Sequence, residues 1–382
     1  MHSSAPFAFD WQPRTRLIFA PDSLERVGDI ARDLGARRAL LVTDAGIVAA
    51  GHAGRAVGFI AAAGLQVEVY DRVHENPTTA DVAQCLAVAR KAEVDIIIGL
   101  GGGSSMDTAK GCNFLLTNGG EMKDYWGVGK ATKPMLPLIA IPTTSGTGSE
   151  CQSAALIADE VTHQKMACLD PKAAARVAIL DPLLTVSQPP RVTACTGVDA
   201  LAHALETAVS RKRNAVSAIY SREAFRLCFS SLPLVLKNPA DLEARAQMQL
   251  GAAFAGTAIE LSMLGAAHSS ANPLTAHYGV VHGQAVGLML PGIVRYNAVL
   301  ADAAAVYDEL AVSVGFHSTE ELVEGVREIL ELAGLASPLA RFGVTQESIP
   351  ALAAEAAQQW TAQFNPRPIA ADDFQRLYEE AL

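Results

Sequence analysis

Four residues of the chain, Asp199, His203, His268 and His282, have the types and spacing of a metal site. Asp199 and His203 stand four apart in GVDALAHALE, so on a helix their side chains share one face. His268 and His282 follow in the small-residue stretches GAAHSSANPL and GVVHGQAVG, where another backbone can approach closely. Any one of these histidines alone is more simply explained as a hydrogen-bonded core residue. Together, three imidazoles and a carboxylate predict a site for a divalent first-row cation such as zinc or ferrous iron.

The composition limits the classes of function. The chain has 382 residues, half of them hydrophobic, which is enough for a large core and for two domains. Its formal net charge is -10 without a basic block, so nucleic acids and anionic membranes are disfavoured as partners. No apolar run has the length of a membrane span, the N-terminus lacks a secretory pattern, and the cysteines lack CxxC spacing. We therefore expect a protein of the reducing cytoplasm.

The elements that must position these residues change in type along the chain. In the first half, βα alternation predicts a mostly parallel sheet covered by helices on both faces. The expected strands are Arg38–Thr43, Gln66–Tyr70, Val94–Gly99 and Leu136–Ile141, and the expected helices include Ser23–Leu34, Asp81–Ala92 and Ser104–Leu116. Beyond Pro190 nearly every segment has helical periodicity. We expect an α/β dinucleotide-binding domain over residues 1–187 and an all-α domain over residues 188–382, with a cleft between them.

Two glycine-rich loops follow expected strands. Gly101, Gly102 and Gly103 lie between VDIIIGL and the helix SSMDTAK, where a loop of this kind offers backbone N–H groups to a phosphate. Ser104 replaces the last glycine of a GxGxxG pattern, and glycine also serves ordinary tight turns. The second loop is PTTSGTGSE. Two such loops at strand ends of one sheet predict a dinucleotide crevice.

Asp44 ends the strand RALLVT and admits two interpretations. Its carboxylate can accept hydrogen bonds from ribose hydroxyls and repel a 2′-phosphate, which favours NAD over NADP. It can equally cap the helix that begins near Gly46. The sequence leaves both roles open.

Taken together, GGGSSMDTAK, AIPTTSGTGSE, GVDALAHALE and HGQAVGLMLP resemble the iron-containing (group III) alcohol dehydrogenase family over residues 17–297. The resemblance implies a dinucleotide-binding domain, a helical second domain, a dehydroquinate synthase-like architecture and a metal. Matched by position, the family's metal ligands fall on Asp199, His203, His268 and His282. Its nucleotide contacts fall on Asp44, Asn76, Gly102, Gly103, Ser104, Asp107, Thr143, Thr144 and Lys165.

The chain departs from the family pattern at Asn272, where members commonly carry a histidine four residues after the third ligand. That histidine is assigned a role in catalysis, whereas asparagine forms hydrogen bonds but takes no proton near neutral pH. His277 lies five residues from both Asn272 and His282, and we hypothesise that it supports proton exchange instead. The alternative is a packed or surface histidine beside Tyr278. His277 and Asn272 are thus the expected catalytic residues.

The expected activity is reversible, metal-dependent hydride transfer between NAD(H) and a small alcohol or aldehyde. The resemblance favours Fe(II) over Zn(II) and a homodimer or larger homo-oligomer, and the carboxylate of Asp44 favours NAD over NADP. One alternative is a maleylacetate-type reductase, and another is an NAD- and metal-dependent lyase similar to dehydroquinate synthase. The lyase requires Lys and Arg around a multiply charged substrate, and the ligand-bearing segments carry neither. A non-enzymatic nucleotide sensor is disfavoured because the ligand set and both loops are intact.

Overall fold

The computed structural model describes residues 9–161 and 164–382, which form two compact units. The α/β unit contains the described residues of 11–144 and 148–188, and the helical unit contains 189–382. Residues 9–10 and 145–147 group with the helical unit, so the middle of the second glycine-rich loop belongs to it. The division into functional domains at residue 188, and a cleft between them, stay predictions.

The strands of the α/β unit form two sheets. They are β1 (Arg16–Phe19), β2 (Arg38–Val42), β3 (Gln66–Tyr70), β4 (Ile96–Gly101), β5 (Gly127–Val128), β6 (Leu138–Pro142), β7 (Ala154–Ala158), β8 (Lys165–Leu169) and β9 (Val177–Leu180). The larger sheet has the order β1-β9-β6-β4-β2-β3, and all its paired strands are parallel. The smaller sheet has the order β5-β8-β7, in which β7 and β8 are antiparallel.

The four predicted strands are present; Gln66–Tyr70 has the predicted ends, and the ends of the other three differ. The strand predicted from Val94 begins at Ile96, because Glu93 has a left-handed φ of 48° and the Val94 N–H bonds to the Ala89 carbonyl, which prolongs the preceding helix end. The helix predicted from Ser23 begins with a 3₁₀ turn, Ser23–Arg26. Strands β1, β5, β7, β8 and β9 were not predicted. Strands β1, β5 and β9 have four residues or fewer and pair with strands distant in sequence. Strands β7 and β8 form a local antiparallel pair that the sequence analysis missed.

Helices cover both faces of the larger sheet. They are α1 (Val27–Asp33), α2 (Ala45–Ala49), α3 (His52–Ala62), α4 (Thr79–Lys91) and α5 (Gly103–Asn118). Side chains of α1 and α3 share one core with Leu41 and Ile98, and those of α4 and α5 share another with Leu40 and Ile97. Successive residues of a strand point to opposite faces, so a strand buried on both faces reads as a continuous apolar run, as in β4.

The second unit is helical throughout its described length. Its helices are α6 (Pro190–Val209), α7 (Ala215–Lys237), α8 (Leu242–Ser262), α9 (Ala266–Tyr278), α10 (His282–Ala298), α11 (Ala301–Ser313), α12 (Thr319–Leu332), α13 (Ile349–Gln358) and α14 (Ala371–Ala381). Helix α6 is buried along most of its length and shares one large apolar core with the helices around it. The predicted fold class, a parallel α/β part followed by an all-α part, is confirmed.

The structure also bears on the cysteines and on membrane spans. All six cysteines lie within the described residues, are buried and form no disulfide. Among the described residues, no single helix has both the length and the apolar character of a membrane span. Helices α8 and α9 meet that test only as a pair, across a bend of 105°.

Candidate active site

Helix α6 places three ionisable side chains on one buried face. Asp199, His203 and Glu206 follow one another at intervals of four and three residues, which is the spacing of neighbours on a helix surface. All three are buried among alanine and leucine side chains of the helical core. A charged or polar group in such surroundings needs a partner, and the partners come from α9 and α10.

Glycine residues let the other two helices approach α6. His268 is the third residue of α9, and His282 is the first residue of α10. A Cβ atom at Gly283 would collide with the Cys195 carbonyl oxygen of α6, and one at Gly265 would lie 3.2 Å from Glu206 Oε1. These close approaches carry the imidazoles of His268 and His282 to the face that holds Asp199.

One carboxylate oxygen lies at the centre of the cluster. Asp199 Oδ1 is 3.4 Å from His203 Nε2, 3.3 Å from His268 Nε2 and 3.8 Å from His282 Nε2. The ligand atoms of Asp199, His268 and His282 all lie within 4.8 Å of one another. His203 is outside that tightest group, but its ring stacks on His268 with centroids 4.8 Å apart. The structure therefore brings the other three predicted ligands together around Asp199.

The donor set fits a divalent cation. Asp199 Oδ1 and His268 Nε2 are buried and face each other, but their geometry does not make a hydrogen bond. Buried polar atoms without a partner are rare in proteins, and a bound ion is one of the features that account for them. Ligands about 2.1 Å from a tetrahedral metal lie about 3.4 Å from each other, close to the spacing around Asp199 Oδ1. The side chain of His282 is 31% exposed, whereas the other three are nearly fully buried, so the cluster is accessible on the His282 side.

Glu206 is a residue of this cluster that the sequence analysis missed. Its carboxylate accepts hydrogen bonds from His268 Nδ1 and from the backbone N–H of Ala267, the latter at 2.7 Å. A carboxylate on Nδ1 keeps the proton there and leaves Nε2 available as a ligand, a common support for metal-binding histidines. Its position seven residues after Asp199, on the same face of the predicted helix, was the signal that could have found it.

Burial and the two carboxylates set the charge of the cluster. Burial raises the pKa of Asp199, but His203, His268 and His282 outweigh this effect and hold it below its usual value. Burial lowers the pKa of His203, so that imidazole is neutral near pH 7. Burial also opposes protonation of His268, yet Glu206 and Asp199 raise its pKa to about 9. The cluster thus stabilises a positive charge at its centre, which a proton or a metal cation can supply.

The predicted nucleotide residues lie mainly at the carboxyl ends of the larger sheet. Strand β2 lies between β3 and β4, so the chain order reverses there, and ligands of such sheets bind outside the strand ends at this reversal. Asp44 follows β2, Gly102 follows β4, and Thr143 follows β6, the next neighbour. The Thr143 N–H donates to the Gly101 carbonyl at 2.9 Å, which joins the two loops.

Asp44 caps helix α2, as one of its two interpretations predicts. Its Oδ1 accepts hydrogen bonds from the backbone N–H groups of Gly46 and Ile47, at 2.9 and 3.1 Å. Its Oδ2 lies 3.5 Å from Ser105 Oγ at the start of α5. Capping uses only Oδ1, so Oδ2 is compatible with the predicted contact with a ribose, which stays a prediction.

Steric contacts explain why glycine occupies two positions of the first loop. Gly101 has a φ of 149°, and a Cβ atom there would collide with the Ser105 hydroxyl. Gly102 is the N-cap of α5, and a Cβ atom there would lie 3.4 Å from Thr144 Cγ2 of the second loop. Gly103 and Ser104 form the first turn of α5, so their free N–H groups and the helix dipole face the strand ends.

The remaining predicted nucleotide residues are more dispersed. Asn76 is exposed after β3 with a left-handed φ of 52°, and Lys165 is the exposed first residue of β8. Asp107 is buried in α5, and its Oδ1 accepts a hydrogen bond from Ser149 Oγ at 2.9 Å. Burial raises the pKa of Asp107, while Lys110 acts most strongly in the opposite direction. The nucleotide role of each of these three residues stays a prediction.

The two expected catalytic residues occupy different surroundings. Asn272 lies one turn after His268 on α9, is half-buried, and donates a hydrogen bond to Gln359 Oε1 at 3.0 Å. His277 has a side chain that is 55% exposed, and its Nε2 lies 2.6 Å from Glu355 Oε2. The structure does not bring His277 to the cluster around Asp199, and its contacts match the alternative of a surface histidine. Its role in proton exchange stays a prediction that no contact supports.

Comparisons with known proteins cover both units. A family model described as iron-containing alcohol dehydrogenase matches residues 13–182, and one described as the C-terminal part of the Fe-containing alcohol dehydrogenase family matches residues 193–382.

Individual relatives match over nearly their whole length. The NAD-dependent methanol dehydrogenase of Bacillus methanolicus is 33% identical over 371 residues, which cover 96% of this chain and 97% of that protein. The lactaldehyde reductase of Escherichia coli K12 is 33% identical over 374 residues, which cover 95% of this chain and 97% of that protein. The solved structure of an alcohol dehydrogenase from Oenococcus oeni has a TM-score of 0.94 and 30% identity, and the match covers 98% of this chain and 100% of that one.

Proposed function

Since the chain belongs to the iron-containing alcohol dehydrogenase family, we propose that it transfers hydride reversibly between NAD(H) and a small alcohol or aldehyde, with a divalent metal bound by Asp199, His203, His268 and His282. Membership makes the chain an oxidoreductase that acts on CH–OH donors. The observation that carries the metal assignment is the convergence of three imidazole nitrogens on Asp199 Oδ1.

The residues of the helical unit would hold and orient the metal. A divalent cation bound there supplies Lewis-acid stabilisation of the substrate oxygen, worth several kcal/mol at the transition state. Glu206 fixes the orientation of His268, and the exposed side of His282 leaves room for a substrate. This donor set does not by itself separate iron from zinc, and the family favours ferrous iron.

The residues of the α/β unit would hold the nucleotide. The N-terminus of α5, with Gly102, Gly103 and Ser104, presents N–H groups suited to a pyrophosphate. Asp44 Oδ2 would accept hydrogen bonds from ribose hydroxyls while Oδ1 caps α2, and a 2′-phosphate would meet its negative charge. The NAD-dependent methanol dehydrogenase among the relatives supports the preference for NAD.

The substrate class we propose is a small neutral alcohol or aldehyde. The helix segments that carry the ligands, GVDALAHALE and GAAHSSANPLTAHYGVVHG, contain no Lys or Arg to bind carboxylates or phosphates. The names of two relatives, a methanol dehydrogenase and a lactaldehyde reductase, indicate substrates of this kind. A maleylacetate-type reductase or a dehydroquinate synthase-like lyase would act on charged substrates, and this absence counts against both.

The expectations about assembly and location also stay proposals. We propose a homodimer or larger homo-oligomer in the cytoplasm, without nucleic-acid or membrane partners. The net charge of -10 supports the exclusion of nucleic acid and anionic membranes. Size-exclusion chromatography with light scattering would measure the oligomeric state directly.

An anaerobic metal analysis joined to a substrate panel tests the proposed function. The enzyme is prepared without oxygen, its metal is quantified, and a panel of short aldehydes and alcohols is assayed with NAD(H) and NADP(H). We expect about one metal per chain, activity with neutral substrates and a preference for NAD(H). His268→Ala should remove both the metal and the activity while NADH binding persists. Full turnover by a metal-free preparation would contradict the metal assignment, and activity only with charged substrates would favour the alternatives.

A further inference from the structure

A buried lysine lies directly behind the first glycine-rich loop. Lys110, two turns into α5, has no exposed surface. Its ammonium group donates to Ser149 O at 2.7 Å, to Ser149 Oγ at 2.8 Å and to Ala154 O at 2.9 Å. These acceptors belong to the 3₁₀ turn Ser149–Cys151 and to the start of β7, the segment that leaves the second loop. A single cation of α5 therefore holds the exit of that loop.

The Ser149 hydroxyl joins this cation to a carboxylate. It accepts a hydrogen bond from Lys110 and donates its own proton to Asp107 Oδ1 at 2.9 Å. Asp107 and Lys110 are three residues apart on α5, so they lie on the same face of the helix. The direction of the hydroxyl is thus set by opposite charges on its two sides.

The free-energy cost of an unpaired buried charge opposes any movement of Ser149 away from α5. Removing an ammonium group from water costs several kcal/mol unless good acceptors replace the water. If Ser149 moved away from α5, Lys110 would lose two acceptors and Asp107 one donor at the same time. Ser149 near the end of the second loop is therefore held against α5, the helix that begins at the first loop, and Thr143 and Thr144 lie near the start of the second loop.

We propose that Lys110 and Ser149 are positioning residues for the nucleotide, which hold the second loop against α5 so that both loops keep the spacing a dinucleotide requires. This inference rests on the proposed function, because Thr143 and Thr144 act here as predicted NAD contacts. Neither Lys110 nor Ser149 needs to contact the nucleotide, since both lie buried beneath the loops. Their effect is expected in nucleotide affinity rather than in the chemical step.

Substitution of Ser149 tests the inference with a small change. Ser149→Ala removes one acceptor from Lys110 and the donor to Asp107, and should weaken NADH binding and raise the KM for NAD about three- to tenfold. The kcat at saturating NAD, the KM for the alcohol and the metal content should stay at wild-type values. Ser149→Thr keeps the hydroxyl and should restore the affinity. Lys110→Met should show a larger loss of affinity, and if it fails to fold, the two Ser149 variants still decide the outcome.

Lys172, whose side chain is 42% exposed, offers a control in the same unit. It also donates to a backbone carbonyl and a buried carboxylate, those of Ala131 at 3.0 Å and Asp170 at 3.2 Å, but it lies outside both loops. Lys172→Met should lower stability without changing NADH affinity. Wild-type NADH affinity in a folded Ser149→Ala variant would overturn this inference alone. Failure of the wild-type enzyme to bind NADH would overturn the proposed function and this inference with it.

Discussion

The carboxylate of Glu206 on α6 accepts a hydrogen bond from Nδ1 of His268 on α9, so that Nε2 of the same ring faces Asp199. Glu206→Gln keeps the shape of the side chain but removes its charge. We expect metal affinity to fall about 10- to 100-fold, because carboxylates in this position orient the histidine and raise its basicity. Anaerobic competition with a chelator of known affinity measures the change.

The control for Glu206 is an exposed glutamate in the same unit. Glu223 pairs with Arg226 on the surface of α7, and Glu223→Gln should leave metal affinity unchanged. Equal affinity in the Glu206 and Glu223 variants would show that Glu206 does not support a metal ligand.

Asp44 can be tested by separating its two roles. Asparagine caps helices about as well as aspartate, so Asp44→Asn should keep the free energy of unfolding. Because the variant lacks the charge, the ratio of kcat/KM for NAD to kcat/KM for NADP should fall about tenfold. Asp44→Ala should narrow the preference similarly and also cost about 1 kcal/mol of unfolding free energy. Kinetics with both nucleotides and urea denaturation measure the two effects. A wild-type nucleotide preference in Asp44→Asn would leave capping as the only role.

His277→Phe tests the hypothesis of proton exchange. Because the His277 side chain is largely exposed and pairs with Glu355 on the surface, we expect turnover and its pH profile to match the wild type. An exposed pair of this kind contributes about 0–1 kcal/mol to stability. Steady-state rates across the pH range measure the effect. A displaced limb of the pH profile would instead support the role in proton exchange.

The buried carboxyl group of Glu150, at the end of the second loop, predicts a pH dependence of stability. Burial raises its pKa from 4.5 to about 7, so the folded state binds this proton more tightly than the unfolded state. The contribution of this carboxyl group to the free energy of unfolding is therefore fully present below pH 4.5, and it is lost as the pH rises through about 7. At about 1.4 kcal/mol per pKa unit, the ionised group costs about 3 kcal/mol.

Glu150→Gln should remove this dependence. Urea unfolding at about pH 5 and pH 8 should show a smaller loss of stability on raising the pH in Glu150→Gln than in the wild type. Glu68→Gln, at an exposed site on β3, serves as the control and should retain the wild-type dependence. Identical pH dependence in the wild type and Glu150→Gln would contradict the assignment.

The sequence alone determined features that depend on neighbouring residues. The spacing of Asp199 and His203 places both side chains on one helix face wherever that helix lies, because helical geometry repeats every 3.6 residues. The glycine-rich loops were predictable because apolar runs precede them and helical patterns follow. The capping position of Asp44 was likewise one of two local interpretations. These features arise within a few turns of the chain, where periodicity and capping preferences act.

Only the tertiary structure decided which distant residues meet. Gly283 allows α10 to approach α6 and bring His282 to Asp199, and Glu206 becomes a partner of His268 only when α9 packs beside α6. The same holds for Lys110, whose place in GGGSSMDTAK resembles that of an ordinary exposed helix residue until β7 and the second loop cover it. Local patterns do not encode such contacts, because a buried charge finds its partners through the packing of whole elements rather than through sequence spacing.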